Sequence, residues 1–192
     1  MEFRLVSTEL GGVCIIETDF PHDERGFFIE SYHAERFQEL GLTTTFVQDN
    51  HSRSRRGVLR GLHYQDMRSP QVKLVRCTRG AVFDVAVDLR VGSNTFGRWV
   101  GVELSDENMR QILVPVGFAH GFVVLSDVAD LQYKCSSYYA PHAEGSVAWD
   151  DPDLAIRWPI EAPLLSARDR AAQSLRAYQA QPAFHFGQTD GR

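Results

Sequence analysis

Apolar and polar residues alternate with a period of two through most of the chain. Val, Ile, Phe and Tyr are frequent in these stretches, and turn-forming residues such as Arg79-Gly80 and Gly92-Ser93-Asn94 separate them. The pattern predicts β-strands at 13–17, 27–32, 44–50, 57–65, 72–78, 81–89, 97–104, 111–115, 120–126 and 129–139.

Helical periodicity is confined to two stretches. One runs from His33 to Leu40 and is followed by Gly41, and the other runs from about Ser166 to Tyr178. Many short strands with little helix are typical of a sandwich or barrel, whereas strands that alternate with helices would indicate a parallel sheet. We therefore predict an all-β fold with a few short helices.

The length of 192 residues suits one domain. A chain of this size buries roughly 70% of the surface that it exposes when unfolded, so it can fold without a metal or a disulfide. We predict a single domain at residues 1–180. The remaining residues, 181–192, contain Pro182, Gly187 and Gly191 and are expected to form a loosely held tail.

Charge and composition exclude several classes of function. The net charge of -5 argues against a nucleic-acid-binding surface. There is no apolar run of about 18 residues, so we expect no membrane span, and the N-terminus has no signal-peptide pattern. The three cysteines, Cys14, Cys77 and Cys135, are far apart and odd in number, which favours reduced core thiols in a cytoplasmic protein.

Two carboxylates interrupt the predicted strand 81–89. Asp84 and Asp88 share a face with Val82 and Ala86, and a buried carboxylate is costly unless it is paired. One interpretation exposes this face to water or satisfies the carboxylates with backbone amides, Arg60 or Arg90. The other makes Asp84 part of a functional site, and the pattern leaves both open.

Four further polar residues lie among apolar neighbours on four separate strands. They are His63, Lys73, His120 and Tyr133, and each taken alone is more often a core or edge residue than a catalyst. The inward faces of a barrel converge on its interior, where a ligand cavity would lie. A base, an acid and a cation gathered there would suit proton-transfer chemistry.

A metal site is the rival interpretation of these histidines. Metal-binding jelly rolls present two histidines one residue apart on a strand, whereas this chain has His63-Tyr64-Gln65. His51, His120 and His142 lie at scattered positions without a local ligand signature. We therefore expect neither a metal nor another cofactor.

Seven motifs occur in an order and spacing that resemble those of the dTDP-4-dehydrorhamnose 3,5-epimerases. The resemblance extends from about residue 3 to residue 170, and the ordered set is far more specific than any one motif. The motifs are Asp23-Glu24-Arg25-Gly26-Phe27-Phe28, Val47-Gln48-Asp49-Asn50-His51-Ser52, Gly57-Val58-Leu59-Arg60-Gly61-Leu62-His63, Lys73-Leu74-Val75-Arg76, Phe83-Asp84-Val85-Ala86-Val87-Asp88-Leu89-Arg90, Pro115-Val116-Gly117-Phe118-Ala119-His120-Gly121-Phe122 and Tyr133-Lys134.

The resemblance implies a cupin-like jelly-roll β-barrel that works without a metal or cofactor. The implied reaction inverts C3 and C5 of dTDP-4-dehydro-6-deoxy-D-glucose to give dTDP-4-dehydro-L-rhamnose, in dTDP-L-rhamnose biosynthesis. It also implies a homodimer in which an N-terminal segment completes the partner's site. Two alternatives are a deoxysugar-nucleotide epimerase that inverts only C3 or C5, and a non-catalytic cupin that binds a sugar nucleotide.

The same resemblance assigns roles to individual residues. It makes His63 the general base, Tyr133 the general acid, Asp169 the carboxylate that orients His63, and Lys73 the cation beside the enolate. The sequence offers a second role for Asp169, because Ser166-Ala167-Arg168-Asp169 has the form of a helix capping box. The implied substrate contacts are Arg25 and Glu30 from the partner subunit, Gln48, Asp49, Asn50, Arg60, His120, Glu144 and Arg168, with Tyr139 stacking on thymine.

Position 168 departs from the family pattern. The family usually has lysine there, and Arg168 keeps the charge without reproducing the contacts of an ammonium group. The catalytic motif is unaffected, whereas the shape of the substrate pocket is less closely determined.

Overall fold

The computed structural model describes residues 1–188, which form antiparallel strands with few helical turns. The strands are β1 (Phe3–Ser7), β2 (Cys14–Thr18), β3 (His22–Asp23), β4 (Gly26–Phe27), β5 (Gln48–Arg55), β6 (Leu59–Gln65), β7 (Lys73–Arg79), β8 (Ala81–Asp88), β9 (Trp99–Ser105), β10 (Gln111–Val114), β11 (Phe118–Val124), β12 (Val128–Cys135) and β13 (Glu144–Ser146). The helices are α1 (Ala34–Glu39), α2 (Ala167–Arg170) and α3 (Leu175–Ala180), with a 3₁₀ turn at Pro141–Ala143.

Two antiparallel sheets build the barrel. The six-stranded sheet has the order β1-β2-β10-β7-β12-β5, and the five-stranded sheet has the order β13-β6-β11-β8-β9. Non-consecutive strands are neighbours in both sheets, as the crossing connections of a jelly roll require. The predicted all-β, cupin-like jelly roll with short helices is therefore confirmed.

The inward faces of the two sheets form a shared apolar core. Val75 and Leu131 come from the six-stranded sheet, Val82 and Phe122 come from the five-stranded sheet, and all four are buried. Because side chains alternate across a strand, every second residue of β7, β8, β11 and β12 enters this space. The polar residues that share those positions are thereby directed into the barrel.

Strand β5 begins and ends later than predicted. It spans Gln48–Arg55 instead of 44–50, because the partner strand β12 pairs Cys135 with Gln48 and Val128 with Arg55. Of the predicted strand 27–32 only Phe27 lies in a strand, at the end of β4, which pairs with β3 in a short hairpin. Strands β1 and β13 were missed, because each is a short edge strand that depends on a tertiary neighbour for its pairing.

The predicted helix from Ser166 to Tyr178 is two helices. Ser166 caps α2, Ser174 caps α3, and each side chain accepts a hydrogen bond from the backbone amide three residues later. Between them the chain is extended, and the carbonyl of Gln173 accepts a hydrogen bond from the amide of Ala148 at 2.8 Å. Pairing with this distant segment replaces the middle of the predicted helix.

Part of the predicted tail contacts the barrel, although most of residues 181–188 are exposed. Phe184 is buried, and its amide donates a hydrogen bond to the hydroxyl of Tyr178 at 3.1 Å. The amide of Val91 donates to the carbonyl of Phe184 at 3.0 Å, and the amide of Phe186 donates to the carbonyl of Val91 at 2.9 Å. The rest of the predicted tail, 189–192, lies outside the described residues.

Candidate active site

The four polar side chains that interrupt separate strands meet in one cavity of the barrel. His63 on β6, Lys73 on β7, His120 on β11 and Tyr133 on β12 line a space of about 550 Å³. A space of about 320 Å³ adjoins it, shares His63, Lys73 and Tyr133, and adds two of the expected contacts, Gln48 and Asn50. The other expected residues that line the larger space are Arg60, Tyr139, Glu144, Arg168 and Asp169.

Close approach of two glycines brings the histidines together. A Cβ on Gly61 would lie 2.5 Å from the Cα of Gly121, so strands β6 and β11 can be this close only without side chains there. The strands are antiparallel, and their register places His63 opposite His120. The glycines thus explain why two imidazoles from different strands share one cavity.

His63 forms a short hydrogen bond with a buried carboxylate. Its Nε2 lies 2.6 Å from Oδ1 of Asp169, at the start of α2. The hydroxyl of Ser166 donates to Oδ2 of Asp169 at 2.7 Å and accepts from the Asp169 amide at 3.1 Å. The carboxylate therefore contacts both the helix cap and His63 through different oxygens, and the two roles considered for it are compatible.

Hydrogen bonds keep the Asp169 carboxylate ionised. Burial acts to raise the pKa of Asp169, but the hydrogen bonds from His63 and Ser166 more than offset it, so the pKa lies below its usual range. An ionised carboxylate on one ring nitrogen sets the tautomer of the imidazole and directs the other nitrogen away from it. The contact with Asp169 thereby fixes the orientation of the His63 ring in the cavity.

Lys73 and Tyr133 are neighbours on the opposite wall. The Nζ of Lys73 lies 6.0 Å from the centre of the Tyr133 ring. Burial raises the pKa of Tyr133, so the phenol stays protonated at neutral pH. Burial also lowers the pKa of Lys73, while nearby acidic groups, including Glu144 and Asp84, act in the opposite direction.

A chain of polar contacts closes one side of the cavity. Arg168 forms an ion pair with Glu144 at 2.7 Å, and the hydroxyl of Tyr139 donates to the same carboxylate at 2.8 Å. The backbone amide of Tyr139 donates to Oε1 of Gln48 at 3.0 Å. The ring of Tyr139 remains more than half exposed and is free to stack on a planar ligand.

His120 is bound to Asp84, a partner that the sequence did not identify. Its Nε2 lies 2.9 Å from each carboxylate oxygen of Asp84. The other carboxylate of β8, Asp88, pairs with Arg90 as one sequence interpretation had it. In the sequence, Asp84 shares a strand face with the apolar residues Val82 and Ala86. This pattern indicates that the Asp84 carboxylate is buried and therefore needs a partner.

Three of the expected substrate contacts do not line this cavity. Asp49 lies on the outer face of its strand, since its neighbours Gln48 and Asn50 point inward, and it forms an ion pair with Lys134 at 3.0 Å. This position does not support a role for Asp49 as a contact of the nucleotide sugar within its own chain. Arg25 bonds to Asp23 on the exposed hairpin, and Glu30 pairs with Arg36 at 2.5 Å.

Residues 1–188 contain neither a cluster of metal ligands nor a membrane-spanning helix. No group of three or more His, Cys, Asp and Glu side chains there is arranged to hold a metal ion. None of the helices in this part of the chain is long and apolar enough to cross a membrane.

Comparison with known proteins gives a consistent answer. The profile of the dTDP-4-dehydrorhamnose 3,5-epimerase family matches residues 7–177. The dTDP-4-dehydrorhamnose 3,5-epimerase of Methanothermobacter thermautotrophicus is 52% identical over 178 residues, which cover 91% of this chain and 96% of that protein. A dTDP-4-dehydrorhamnose 3-epimerase of Streptomyces niveus is 46% identical over 170 residues, 88% of this chain and 82% of its own length.

Solved structures agree with the sequence comparison. The dTDP-6-deoxy-D-glucose-3,5-epimerase of Legionella pneumophila, in complex with dTDP-4-keto-L-rhamnose, superposes with a TM-score of 0.92 at 52% identity. The match covers 96% of this chain and 99% of that one. The chain therefore belongs to the dTDP-4-dehydrorhamnose 3,5-epimerase family of isomerases.

Proposed function

We propose that this protein inverts C3 and C5 of dTDP-4-dehydro-6-deoxy-D-glucose to give dTDP-4-dehydro-L-rhamnose, without a metal or cofactor. The observation that carries the proposal is the position of His63 and Tyr133. His63 comes from the five-stranded sheet and Tyr133 from the six-stranded sheet, and both line the cavity that also contains Lys73. A base and an acid on facing walls suit inversion.

The substrate's C4 carbonyl explains why one site can serve two carbons. Hydrogens on C3 and C5 are both α to this carbonyl, so loss of either proton gives an enolate on the same oxygen. A cation beside that oxygen stabilises the developing charge, which is usually the largest single contribution to catalysis. Lys73 is the proposed cation.

His63 is the proposed base. An imidazole titrates near neutral pH, and a positioned general base contributes on the order of 10²–10⁴-fold to the rate. The contact of 2.6 Å with Asp169 orients the ring and favours the imidazolium that forms when the proton is taken. Removal of the proton from one face leaves a planar carbon that can be reprotonated from the other.

Tyr133 is the proposed acid on that other face. Burial raises the pKa of its phenol, so the group holds its proton until the basic enolate carbon approaches it. Return of the proton from the His63 side would regenerate the original isomer. The two groups therefore need to stand on opposite sides of the sugar ring.

The linked polar side chains on one side of the cavity, from Arg168 through Glu144 and Tyr139 to Gln48, are the proposed binding site of the nucleotide and sugar. The exposed ring of Tyr139 could stack on thymine, and Gln48, Asn50, Arg60 and His120 offer polar groups nearby. Arg168 and Glu144 supply the charged part of this wall.

The proposed assembly is a homodimer in which Arg25 and Glu30 reach the partner's site. Both residues lie outside the cavity of their own chain. The hairpin that carries Arg25 also exposes Phe27 and Phe28, which are 55% and 70% exposed. Adjacent exposed aromatic rings are typical of a surface that another protein covers.

The proposed location is the cytoplasm. Cys14, Cys77 and Cys135 are free thiols, and Cys77 and Cys135 are buried in the barrel. Unpaired cysteines are typical of a reducing compartment.

The reaction is tested by NMR of the product formed from dTDP-4-dehydro-6-deoxy-D-glucose in D₂O. Each inverted carbon takes its new hydrogen from a group that has exchanged with solvent, so we expect deuterium at both C3 and C5 and the L configuration in the product. His63→Ala is the matched control and should lose turnover by about 10²-fold or more while remaining folded.

Two other outcomes would change the conclusion. Deuterium at one carbon only would identify a single-centre epimerase, an alternative favoured by the similarity to the 3-epimerase of Streptomyces niveus. Tight binding of dTDP without any exchange would instead favour a non-catalytic sugar-nucleotide-binding cupin.

A further inference from the structure

A second pocket lies on the outer face of the six-stranded sheet, behind the strand that carries Tyr133. Its volume is about 360 Å³. Because side chains alternate across a strand, the odd positions of β7 and β12, among them Lys73 and Tyr133, enter the barrel, whereas the even positions face this pocket. Three of the sequence motifs contribute residues to the pocket that do not line the catalytic cavity, and these are His51, Arg76 and Lys134.

The register of four strands places four polar residues in one row across the pocket. Arg76 of β7 is opposite Gln111 of β10 on one side and opposite Gln132 of β12 on the other. Gln132 is in turn opposite His51 of β5. All four residues line the pocket. Directly opposed residues have their Cβ atoms roughly 5 Å apart, so one small ligand can contact several members of the row.

Arg76 is partly buried in this row without a counter-charge. Its guanidinium forms one hydrogen bond within residues 1–188, from Nη2 to Oε1 of Gln132 at 3.1 Å, and no ion pair. A guanidinium carries five N–H donors in a planar fork, so most of them have no acceptor in this part of the chain. Burial lowers the pKa of Arg76, as expected for a cation that is removed from water without a carboxylate beside it.

The carboxylates of β5 and β12 are already paired. Asp49 lines the pocket but forms an ion pair with Lys134 at 3.0 Å. Asp130 accepts two hydrogen bonds of 2.7 Å from Arg53 and does not line the pocket. The positive charge of Arg76 is therefore left without a partner on the side that faces the pocket.

We propose that this pocket binds a small oxyanion, a phosphate or a carboxylate group, on the guanidinium of Arg76. The planar fork of a guanidinium matches two oxygens of such a group. Because Oε1 of Gln132 accepts from Arg76, the Nε2 of the same amide is left to donate to the ligand. Strands β7 and β12 separate the pocket from the catalytic cavity, so the site is distinct from that of the sugar nucleotide.

The test is a titration with inorganic phosphate, followed by the ¹⁵N–¹H signal of the Arg76 Nε group, which is assigned through Arg76→Gln. We expect a saturable shift with a Kd on the order of 1 mM or tighter. A parallel titration with succinate shows whether a phosphate or a carboxylate is bound more tightly. In Arg76→Gln, followed by the side-chain amide signal of Gln132, the affinity should fall by at least about tenfold, because charge-assisted hydrogen bonds are lost.

Arg79→Gln is the matched control. Arg79 is at the end of the same strand, is exposed and does not line the pocket. The variant therefore loses the same charge but keeps the proposed contact with the ligand. Because exposed charges are screened by salt, its Kd for phosphate should stay within about a factor of three of the wild-type value.

A linear shift of the Arg76 signal without saturation by either anion would overturn the proposal, and this observation does not require any variant to fold. Equal weakening in Arg76→Gln and Arg79→Gln would also overturn it, since the effect would then be one of overall charge. If the wild-type protein binds neither anion and Arg76→Gln loses self-association in analytical ultracentrifugation, the row is a contact between two copies of the chain and the ligand site is refuted.

Discussion

The proposed acid is a tyrosine whose environment differs from that of two exposed tyrosines near the site. Tyr133 is half-buried between Lys73 and the barrel wall, whereas Tyr138 and Tyr139 are mostly exposed. Burial disfavours the charged phenolate, which raises the pKa of Tyr133. Such a group donates a proton only to a strongly basic acceptor, and an enolate carbon is one.

At this scale we predict that Tyr133→Phe separates exchange from inversion. His63 and Lys73 remain in place, so the variant should still incorporate deuterium from D₂O into the substrate. Inverted product should form about 10²-fold more slowly, because the opposite-face donor is missing. Both rates can be followed by NMR in one sample.

Tyr138→Phe is the comparison for this variant, because Tyr138 is 71% exposed and lines neither part of the cavity. It should exchange and invert like the wild-type protein. Unchanged inversion in Tyr133→Phe would mean that another group supplies the second proton.

At the scale of elements, the C-terminal segment covers the outer face of the five-stranded sheet. Tyr178 on α3 and Phe184 pack against Tyr64 of β6 with their ring edges. The hydroxyl of Tyr178 donates to the carbonyl of Leu89 at 2.8 Å and accepts from the amide of Phe184. This segment therefore supports the strand that carries His63 from behind.

We predict that Phe184→Ala destabilises the fold by about 3–5 kcal/mol, since it leaves a cavity among fully buried rings. Phe186→Ala is the matched control, because Phe186 is 53% exposed and its ring faces the guanidinium of Arg90 at 5.3 Å. That change should cost less than about 1 kcal/mol. Urea unfolding of the two variants measures the loss of unfolding free energy. An equally small loss in both variants would mean that the segment is as loosely held as its sequence suggested.

At the scale of the whole molecule, neither of the two residues expected from the partner subunit lines the cavity of its own chain. Arg25 is on the exposed hairpin and bonds only to Asp23 within the described residues, and Glu30 is engaged with Arg36. A closed two-fold dimer would give each site the hairpin of the other chain. Phe27 and Phe28, which follow Arg25 closely in the sequence, are exposed and would be covered by a partner bound at this hairpin.

We predict that two inactive variants restore activity when they are mixed. In a heterodimer of Arg25→Ala with His63→Ala, one of the two sites contains both an intact Arg25 and an intact His63. Activity should reach up to about a quarter of the wild-type value under conditions of subunit exchange, since half of the dimers are mixed and half of their sites are intact. Exchange without recovered activity would show that each site is built within one chain.

Much of the site could be predicted from the sequence, because period-two alternation assigns each residue to a face. His63, Lys73, His120 and Tyr133 were recognised as polar residues at apolar positions, and the structure places all four in one cavity. The same local rule predicted the all-β barrel. Alternation is a property of neighbouring residues, so it needs no knowledge of tertiary contacts.

Other features depended on tertiary contacts. The sequence offered backbone amides, Arg60 or Arg90 as partners of Asp84, whereas its partner is His120 on β11, and alternation alone does not show which strands are neighbours. Pairing with β12 extends β5 to Arg55, and pairing with Val147 divides the predicted C-terminal helix. The sequence by itself determined which residues enter the barrel, whereas only the tertiary structure decided which of them meet, because register and close approach are set between segments distant along the chain.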